Sequence, residues 1–294
     1  MRCGSDPTAL NIYSTNREQS QMQRFCIVTP TFNAGNVLSH CHASVADQGP
    51  GVTHIVQDGN SAEKQGLLSL AGKNVEIHME EDCGMYDALN KAVAWGRGDI
   101  LGHLNADEQY LPGILERVAG IFDLHPRVDI VCGDMVLTDA SWRPLSYRRS
   151  VLPPISSAGM IPLSVPTCAM FFRRRVFDCG LRYPEKLRAI GDAVLVGEIM
   201  KAGYSWYFDR VPYAVFSLHE TNLSNTGAAQ ADRELLGIAR LPLKEIWFRL
   251  QVWIRKMTSG AYRRRQVEIQ VFTRESMNGR VPKSGLVGWD WPKH

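Results

Sequence analysis

The sequence predicts an α/β fold built on a mostly parallel central sheet. Short apolar runs alternate four times with amphipathic segments between residues 24 and 108, which is typical of βαβ units. Each run ends in a loop rich in Pro, Gly, Asn or Asp. The length of 294 residues, with 45% hydrophobic residues, is enough for one large domain or two small ones.

The predicted elements follow from these runs in chain order. In the first half we expect strands at residues 25–28, 53–57, 75–79 and 100–104, with helical segments through residue 45, over about 62–71 and through residue 95. The second half is less regular, with strands expected at 128–136, 168–172 and 213–218. A helix over 192–202 should stop at Gly203, a common helix terminator, and 152–166 should form a loop.

Polar residues follow the carboxyl ends of the four predicted parallel strands, where open sheets bind ligands. They are Thr29, Pro30, Thr31, Asn33, Asp58, Asp82, Asn105 and Asp107. Asp107 is a candidate ligand for Mg²⁺ or Mn²⁺, which need few protein ligands when diphosphate oxygens supply the others. From spacing alone, a helix cap explains Asp107 equally well.

The other candidate residues also have two interpretations. Asp58 either accepts a hydrogen bond from a nucleobase or ribose, or forms an Asp-Gly turn. Asp192 opens a helix, where the macrodipole favours a carboxylate, and is either a general base or an N-cap. His219 is either a metal ligand or an ordinary histidine at the end of a strand.

Composition excludes several classes of protein. The net charge of +3 is too small for a nucleic-acid binder, although residues 240–294 alone carry 12 Lys/Arg against 4 Asp/Glu, or +8. Seven cysteines without a CxxC pair argue against a zinc ribbon or thioredoxin-type site. Residues 1–23 form a polar extension without the apolar stretch of a secretory signal, so we expect a cytoplasmic protein. Motifs of serine hydrolases, zinc proteases, P-loop proteins and dinucleotide-binding folds are absent from the sequence.

Four sequence blocks occur in order at the intervals of one family. They are IVTPTFN (27–33), QDGNS (57–61), DCGMYDALNK (82–91) and GDILGHLNADE (98–108). Together they closely resemble family 2 glycosyltransferases, notably bacterial enzymes of surface-polysaccharide assembly. The resemblance covers residues 24–225. It implies the GT-A fold, a Rossmann-like sheet with helices on both faces.

The resemblance implies inverting transfer of a sugar from a nucleotide-diphosphate donor, typically a uridine one. The acceptor would be a saccharide or a lipid-linked saccharide, with Mg²⁺ or Mn²⁺ on the diphosphate. The residues that match the donor site are Thr29, Pro30, Thr31, Asn33, Asp58, Asp82, Tyr86, Asn90 and Asn105. Asp107 falls on the metal motif of the family, and Asp192 falls where these enzymes place the catalytic base. His219, taken from the residues alone, is the second candidate metal ligand.

Three departures qualify the resemblance. Asn105 stands at the first position of the Asp-x-Asp metal motif, and Gly191 replaces the Glu that commonly precedes the base. The Gln-x-x-Arg-Trp signature of processive synthases is missing, so one sugar should be added per encounter. Two other functions stay open: a catalytically silent nucleotide-sugar-binding module, and a sugar-phosphate nucleotidyltransferase, whose Gly-rich phosphate loop is missing here.

Residues 226–294 are predicted to form a basic amphipathic helical tail. Apolar residues recur there at helical spacing, namely Leu243, Ile246, Trp247, Leu250, Ile254 and Met257. The helix either lies in an anionic membrane interface, on the inner face of the plasma membrane, or packs on the domain or in a dimer. The sequence leaves the oligomeric state, the sugar and the linkage open.

Overall fold

The computed structural model describes residues 24–34, 37–62, 64–70, 72, 74–155, 163–218, 227–238 and 242–288, so the predicted extension 1–23 lies outside it. The strands in this part are β1 (Phe25–Thr31), β2 (Val52–Asp58), β3 (Val75–Met79), β4 (Ile100–His103), β5 (Glu108–Tyr110), β6 (Ile130–Thr138), β7 (Pro144–Arg148), β8 (Met170–Arg173), β9 (Trp206–Ser217), β10 (Arg265–Thr273) and β11 (Ser276–Val287). The helices in this part are α1 (Val37–Ala46), α2 (Gln65–Leu68), α3 (Met85–Trp95), α4 (Ile114–Leu124), α5 (Arg175–Asp178), α6 (Gly191–Lys201), α7 (Ala228–Leu235) and α8 (Pro242–Thr258).

Nine strands form one sheet in the order β3-β2-β1-β4-β8-β6-β9-β5, with β7 paired to β6. The first four strands in this order are parallel to one another, as their alternation with helices predicts. Beyond β4 the pairing is mixed: β8 is antiparallel to β4 and β6, whereas β6 and β9 are parallel. The predicted α/β class with a largely parallel central sheet is therefore confirmed.

The buried strand β1 shows why helices cover both faces of the sheet. Phe25 and Ile27 belong to one apolar core, which also contains Cys41 of α1. Cys26 and Val28 alternate with them and join the opposite core, with α3. Because every residue of β1 is buried, residues 25–28 form a continuous apolar run and do not alternate with polar residues.

The C-terminal region differs from the predicted helical tail. It contains the helices α7 and α8, but β10 and β11 form an antiparallel hairpin. Val267, Ile269 and Val271 alternate with polar residues and lie in the same core as β1. The side-chain amide of Gln109 also exchanges hydrogen bonds of 3.0 and 2.8 Å with the Phe272 backbone. The hairpin is thus packed into the α/β domain, and its period of two residues is the strand signal that the helical interpretation missed.

Two further local differences concern helices. The helix expected over 62–71 is only the single turn Gln65–Leu68. The helix α4 was not predicted, although its buried residues 114, 115, 118, 121 and 122 recur at helical spacing. No helix in the described part of the chain is long and apolar enough to cross a bilayer.

We predict that Ile269→Ala lowers the free energy of unfolding of the whole domain by about 3 kcal/mol, because it leaves a cavity in the shared core. Urea denaturation followed by tryptophan fluorescence measures this change. Gln270→Ala, an exposed neighbour on the same strand, is the control and should change stability by less than about 0.5 kcal/mol. Equal effects of the two variants would contradict the shared core.

Candidate active site

The loops after β1, β2 and β3 are joined side by side at one edge of the sheet. Thr31 and Asp58 are register partners at the ends of β1 and β2. The Gly59 N–H donates to the Thr31 carbonyl at 2.9 Å, and the Glu80 N–H donates to the Asp58 carbonyl at 3.1 Å. The sequence-predicted residues after these strands therefore do converge.

The buried carboxylate of Asp58 organises its own loop. Its Oδ2 accepts the Ser61 N–H at 2.7 Å and its Oδ1 accepts the Ser61 hydroxyl at 2.5 Å. The Ser61 hydroxyl in turn accepts the N–H of Asn33, which has a left-handed φ of 51°. A carboxylate has about four lone-pair sites, so Asp58 keeps acceptor capacity for a ligand. The turn and the ligand interpretations of Asp58 are therefore compatible.

Asp82 lies directly against this loop. Its Oδ1 accepts the Gly84 N–H at 2.8 Å, and a Cβ added to Gly59 would lie 2.6 Å from its Oδ2. Burial raises the pKa of Asp82, and the nearby charges of Asp87 and Asp58 raise it further. Asp58 and Asp82 thus place two carboxylates side by side, separated by a glycine that has no room for a side chain.

Two of the predicted donor residues hold the scaffold together. The Thr29 hydroxyl lies 2.9 Å from Nε2 of buried His54, so it faces the core. The Asn90 amide donates to the Tyr183 carbonyl and accepts the Tyr183 N–H, each at 2.9 Å. Pro30 is also buried. Direct contact of these residues with a donor remains a prediction.

A continuous series of contacts joins Asp192 to the loop after β4. The Tyr86 ring lies against Gly191, directly before Asp192, and stacks on Tyr183 with 5.9 Å between centroids. Tyr183 packs edge-on against His103 at 5.8 Å. His103 Nε2 then lies 2.8 Å from Oδ1 of Asn105. The predicted base and the predicted metal loop therefore belong to one connected site.

His103 is a neutral link in this series. Burial lowers its pKa to about 4, so it is uncharged at neutral pH. The tautomer protonated at Nε2 donates to Asn105 and leaves Nδ1 to accept from the Tyr183 hydroxyl, 3.5 Å away. Asn105 Oδ1 is engaged in this way, so the assignment of a cation to this loop stays a prediction for Asp107.

The next residue, Glu108, is buried and does not share that role. Its Oε2 accepts the Asn105 N–H at 2.6 Å. Burial, and then the charge of Asp107, raise the pKa of Glu108 to about 8, so Glu108 favours its protonated form at neutral pH. No group of three His, Cys, Asp or Glu side chains in the described residues is arranged to hold a metal, and His219 lies outside them. One carboxylate oxygen fits Mg²⁺ or Mn²⁺ only when diphosphate oxygens complete the shell.

Asp192 lies in the first turn of α6. Its Oδ1 accepts the Ala193 N–H at 2.7 Å, and burial raises its pKa to about 6. A Cβ on the preceding Gly191 would lie 2.5 Å from the Tyr86 ring. Tyr86 therefore fills the space that a glutamate side chain would need at position 191. This steric exclusion accounts for the departure from the family pattern.

Asp232 of α7, which sequence reasoning missed, holds the loop that enters α6. Its buried carboxylate accepts the backbone N–H groups of Arg188, Ala189 and Ile190 at 2.7 to 3.0 Å. Three converging donors fix the chain two residues before Asp192. A single aspartate in a polar helix carries no sequence signal for such a role.

The chain is similar in sequence to one protein family and to named relatives. The model of the family described as glycosyl transferase family 2 matches residues 26–180. PGL/p-HBAD biosynthesis glycosyltransferases of Mycobacterium bovis and Mycobacterium tuberculosis are 34% identical over 185 residues. Each match covers 57% of this chain and 66% of the relative, slightly less than two thirds of its length.

Solved structures show the same fold. S. aureus TarS 1–349 in complex with UDP-GlcNAc has a TM-score of 0.52 at 15% identity, covering 68% of this chain and 60% of that one. The complex of the same fragment with UDP has a TM-score of 0.50 at 15% identity, covering 67% and 61%. The GT-A architecture is therefore shared at low sequence identity.

We predict that Asp232→Ala lowers the free energy of unfolding by about 3 kcal/mol, because it leaves buried N–H groups without an acceptor. Hydrogen exchange should accelerate at residues 188–190 in particular. Glu234→Ala, at an exposed position of the same helix, is the control. Unchanged exchange at residues 188–190 in Asp232→Ala would refute the anchoring role.

Proposed function

The chain belongs to glycosyltransferase family 2, and we propose that it is an inverting, non-processive glycosyltransferase. The donor would be a nucleotide-diphosphate sugar with uridine as the base, and the acceptor a saccharide or lipid-linked saccharide. The observation that carries this proposal is the contact series from Asp192 through Tyr86, Tyr183 and His103 to Asn105. It connects a carboxylate suited to deprotonation with a loop suited to a charged leaving group.

The strand-end loops support binding of the nucleotide. Asp58 retains acceptor capacity for a base N–H, and the Phe32 ring beside Gly59 is 66% exposed. An exposed aromatic face next to a polar acceptor suits a planar heterocycle. The solved TarS complexes with UDP-GlcNAc and UDP have the same fold, which is consistent with a uridine donor.

Asp107 is the described residue proposed to hold Mg²⁺ or Mn²⁺, with His219 as the other candidate ligand. The cation would neutralise charge on the departing diphosphate. Glu108 favours its protonated form, so it adds little negative charge beside Asp107. Asn105 is engaged with His103 and fixes the shape of the loop.

In the proposed step, Asp192 takes the proton of the acceptor hydroxyl. The acceptor oxygen forms a bond to the anomeric carbon while the bond from that carbon to the diphosphate oxygen breaks. The electron pair leaves with the nucleoside diphosphate, and attack from the opposite face inverts the configuration. A pKa of about 6 keeps Asp192 largely ionised at neutral pH yet basic enough to accept a proton. The buried Tyr86 hydroxyl, which has no hydrogen-bond partner in the described chain, can donate to this carboxylate or to the acceptor.

We predict that turnover falls about tenfold per pH unit below pH 6, because protonation removes the base and the pKa of Asp192 is about 6. Asp192→Asn should abolish transfer and leave the dissociation constant of the donor within about twofold. Sugar transfer measured from pH 5 to 8 and donor calorimetry give the two readouts. Asp178→Asn, at an exposed site, is the control. Full turnover in Asp192→Asn would disprove the base assignment.

We also predict that a uridine-diphosphate sugar with Mn²⁺ raises the melting temperature, since a ligand at 100 times its Kd stabilises by about 2.7 kcal/mol. Asp107→Asn or a chelator should remove the Mn²⁺-dependent part, whereas Asp99→Asn, at an exposed position, should not. Slow hydrolysis of the donor without acceptor identifies an enzyme, whereas binding without hydrolysis or transfer identifies a silent module. Pyrophosphate release from a nucleoside triphosphate and a sugar phosphate would instead identify a nucleotidyltransferase.

A further inference from the structure

The helix α8 exposes its apolar face. Seven large side chains are between 41% and 84% exposed, namely Leu243, Ile246, Trp247, Leu250, Trp253, Ile254 and Met257. At 100° per residue they form one stripe along the helix, with Leu250 near its centre. Phe248 and Val252 are buried on the opposite side. The helix is therefore held to the protein by the smaller of its two apolar surfaces.

This face is surrounded by positive charge. The helix and the segment after it, residues 242–265, contain seven Lys/Arg and one acid, Glu245, for a net charge of +6. Glu245 is already paired with Arg249 at 2.7 Å. An anionic surface complements this combination of apolar stripe and cations, whereas a second copy would bring +6 against +6.

We propose that α8 docks the protein onto an anionic lipid bilayer. The apolar stripe would lie at the boundary between headgroups and acyl chains, with the exposed cations Lys244, Arg263 and Arg264 on the lipid phosphates. Trp247 and Trp253 suit that boundary because their rings are apolar with one polar N–H. This assignment favours the membrane interpretation of the tail over a helix packed through its stripe, because no described residue covers the stripe.

The docking surface is connected to the active site, and this step rests on the proposed function. Arg255 of α8 donates to the carbonyl of Leu152 at 2.6 Å, at the start of the predicted loop 152–166. Val165, near the other end of that loop, packs in the same core cluster as Tyr86 and Tyr183. A membrane-bound α8 would thus keep Leu152 near the lipid surface, which suits a lipid-linked saccharide as the acceptor.

Co-sedimentation of the full chain with vesicles tests the docking surface. We expect binding to phosphatidylglycerol vesicles, weaker binding in high salt, and little binding to phosphatidylcholine. Leu243→Gln with Leu250→Gln should weaken binding at least about tenfold, because two leucines leave the interface. Leu124→Gln with Leu286→Gln is a matched control, since both of these leucines are exposed and belong to α4 and β11 rather than α8. Point variants are used because the hairpin that follows α8 belongs to the core, so truncation would unfold the domain.

Light scattering and donor hydrolysis, measured on the same samples, separate the outcomes. Vesicle binding that both leucine pairs weaken equally, or no vesicle binding at all, overturns the proposal. A stable dimer that only the α8 pair dissociates also overturns it and assigns the face to a second copy. If the protein hydrolyses the donor but does not bind vesicles, the result supports the proposed glycosyltransferase function and contradicts the docking surface. Vesicle binding without any donor turnover would support the docking surface and count against the enzymatic function.

Discussion

The packing of Tyr86 against the start of α6 is the contact on which the candidate site depends. The ring occupies the space beside Gly191, so the backbone of α6 can approach α3 closely only where residue 191 has no side chain. The same approach brings Asp192 into an enclosed position, where burial raises its pKa to about 6. Stacking of Tyr86 on Tyr183 then fixes this arrangement relative to the loop after β4.

Residues beyond the part of the chain that matches the family model contribute to the candidate site. The match ends at residue 180, whereas Asp192 and its anchor Asp232 both follow it. The hairpin β10–β11, further along the chain, contributes to the core beneath β1 and β5. The C-terminal region is thus a structural part of the α/β domain, and its helix α8 turns a large apolar surface outward.

In the loop after β4, three neighbouring polar residues of one sequence motif have different surroundings in the folded chain. Asn105, Asp107 and Glu108 are all oxygen-bearing residues of one motif, and a sequence alone would treat them as similar candidates. In the folded chain Asn105 is bonded to His103, and Glu108 is buried in its favoured protonated form. Asp107 is therefore the residue of the three that we propose for a cation, at a site that would depend on the donor's own phosphates.

The sequence by itself determined the parallel half of the sheet and the grouping of Thr31, Asp58 and Asn105 at its edge. Local periodicity and the rule that parallel strands end at one edge are sufficient for this inference. Only the tertiary structure shows that Tyr86 packs beside Gly191 and that Asp232 accepts the backbone N–H groups before α6. The same is true of the hydrogen bonds between Asn90 and Tyr183 and of the exposure of the apolar stripe of α8. These depend on contacts between residues far apart in the chain. No local pattern encodes which distant backbone N–H groups a carboxylate will meet, or which face of a helix its neighbours will leave uncovered.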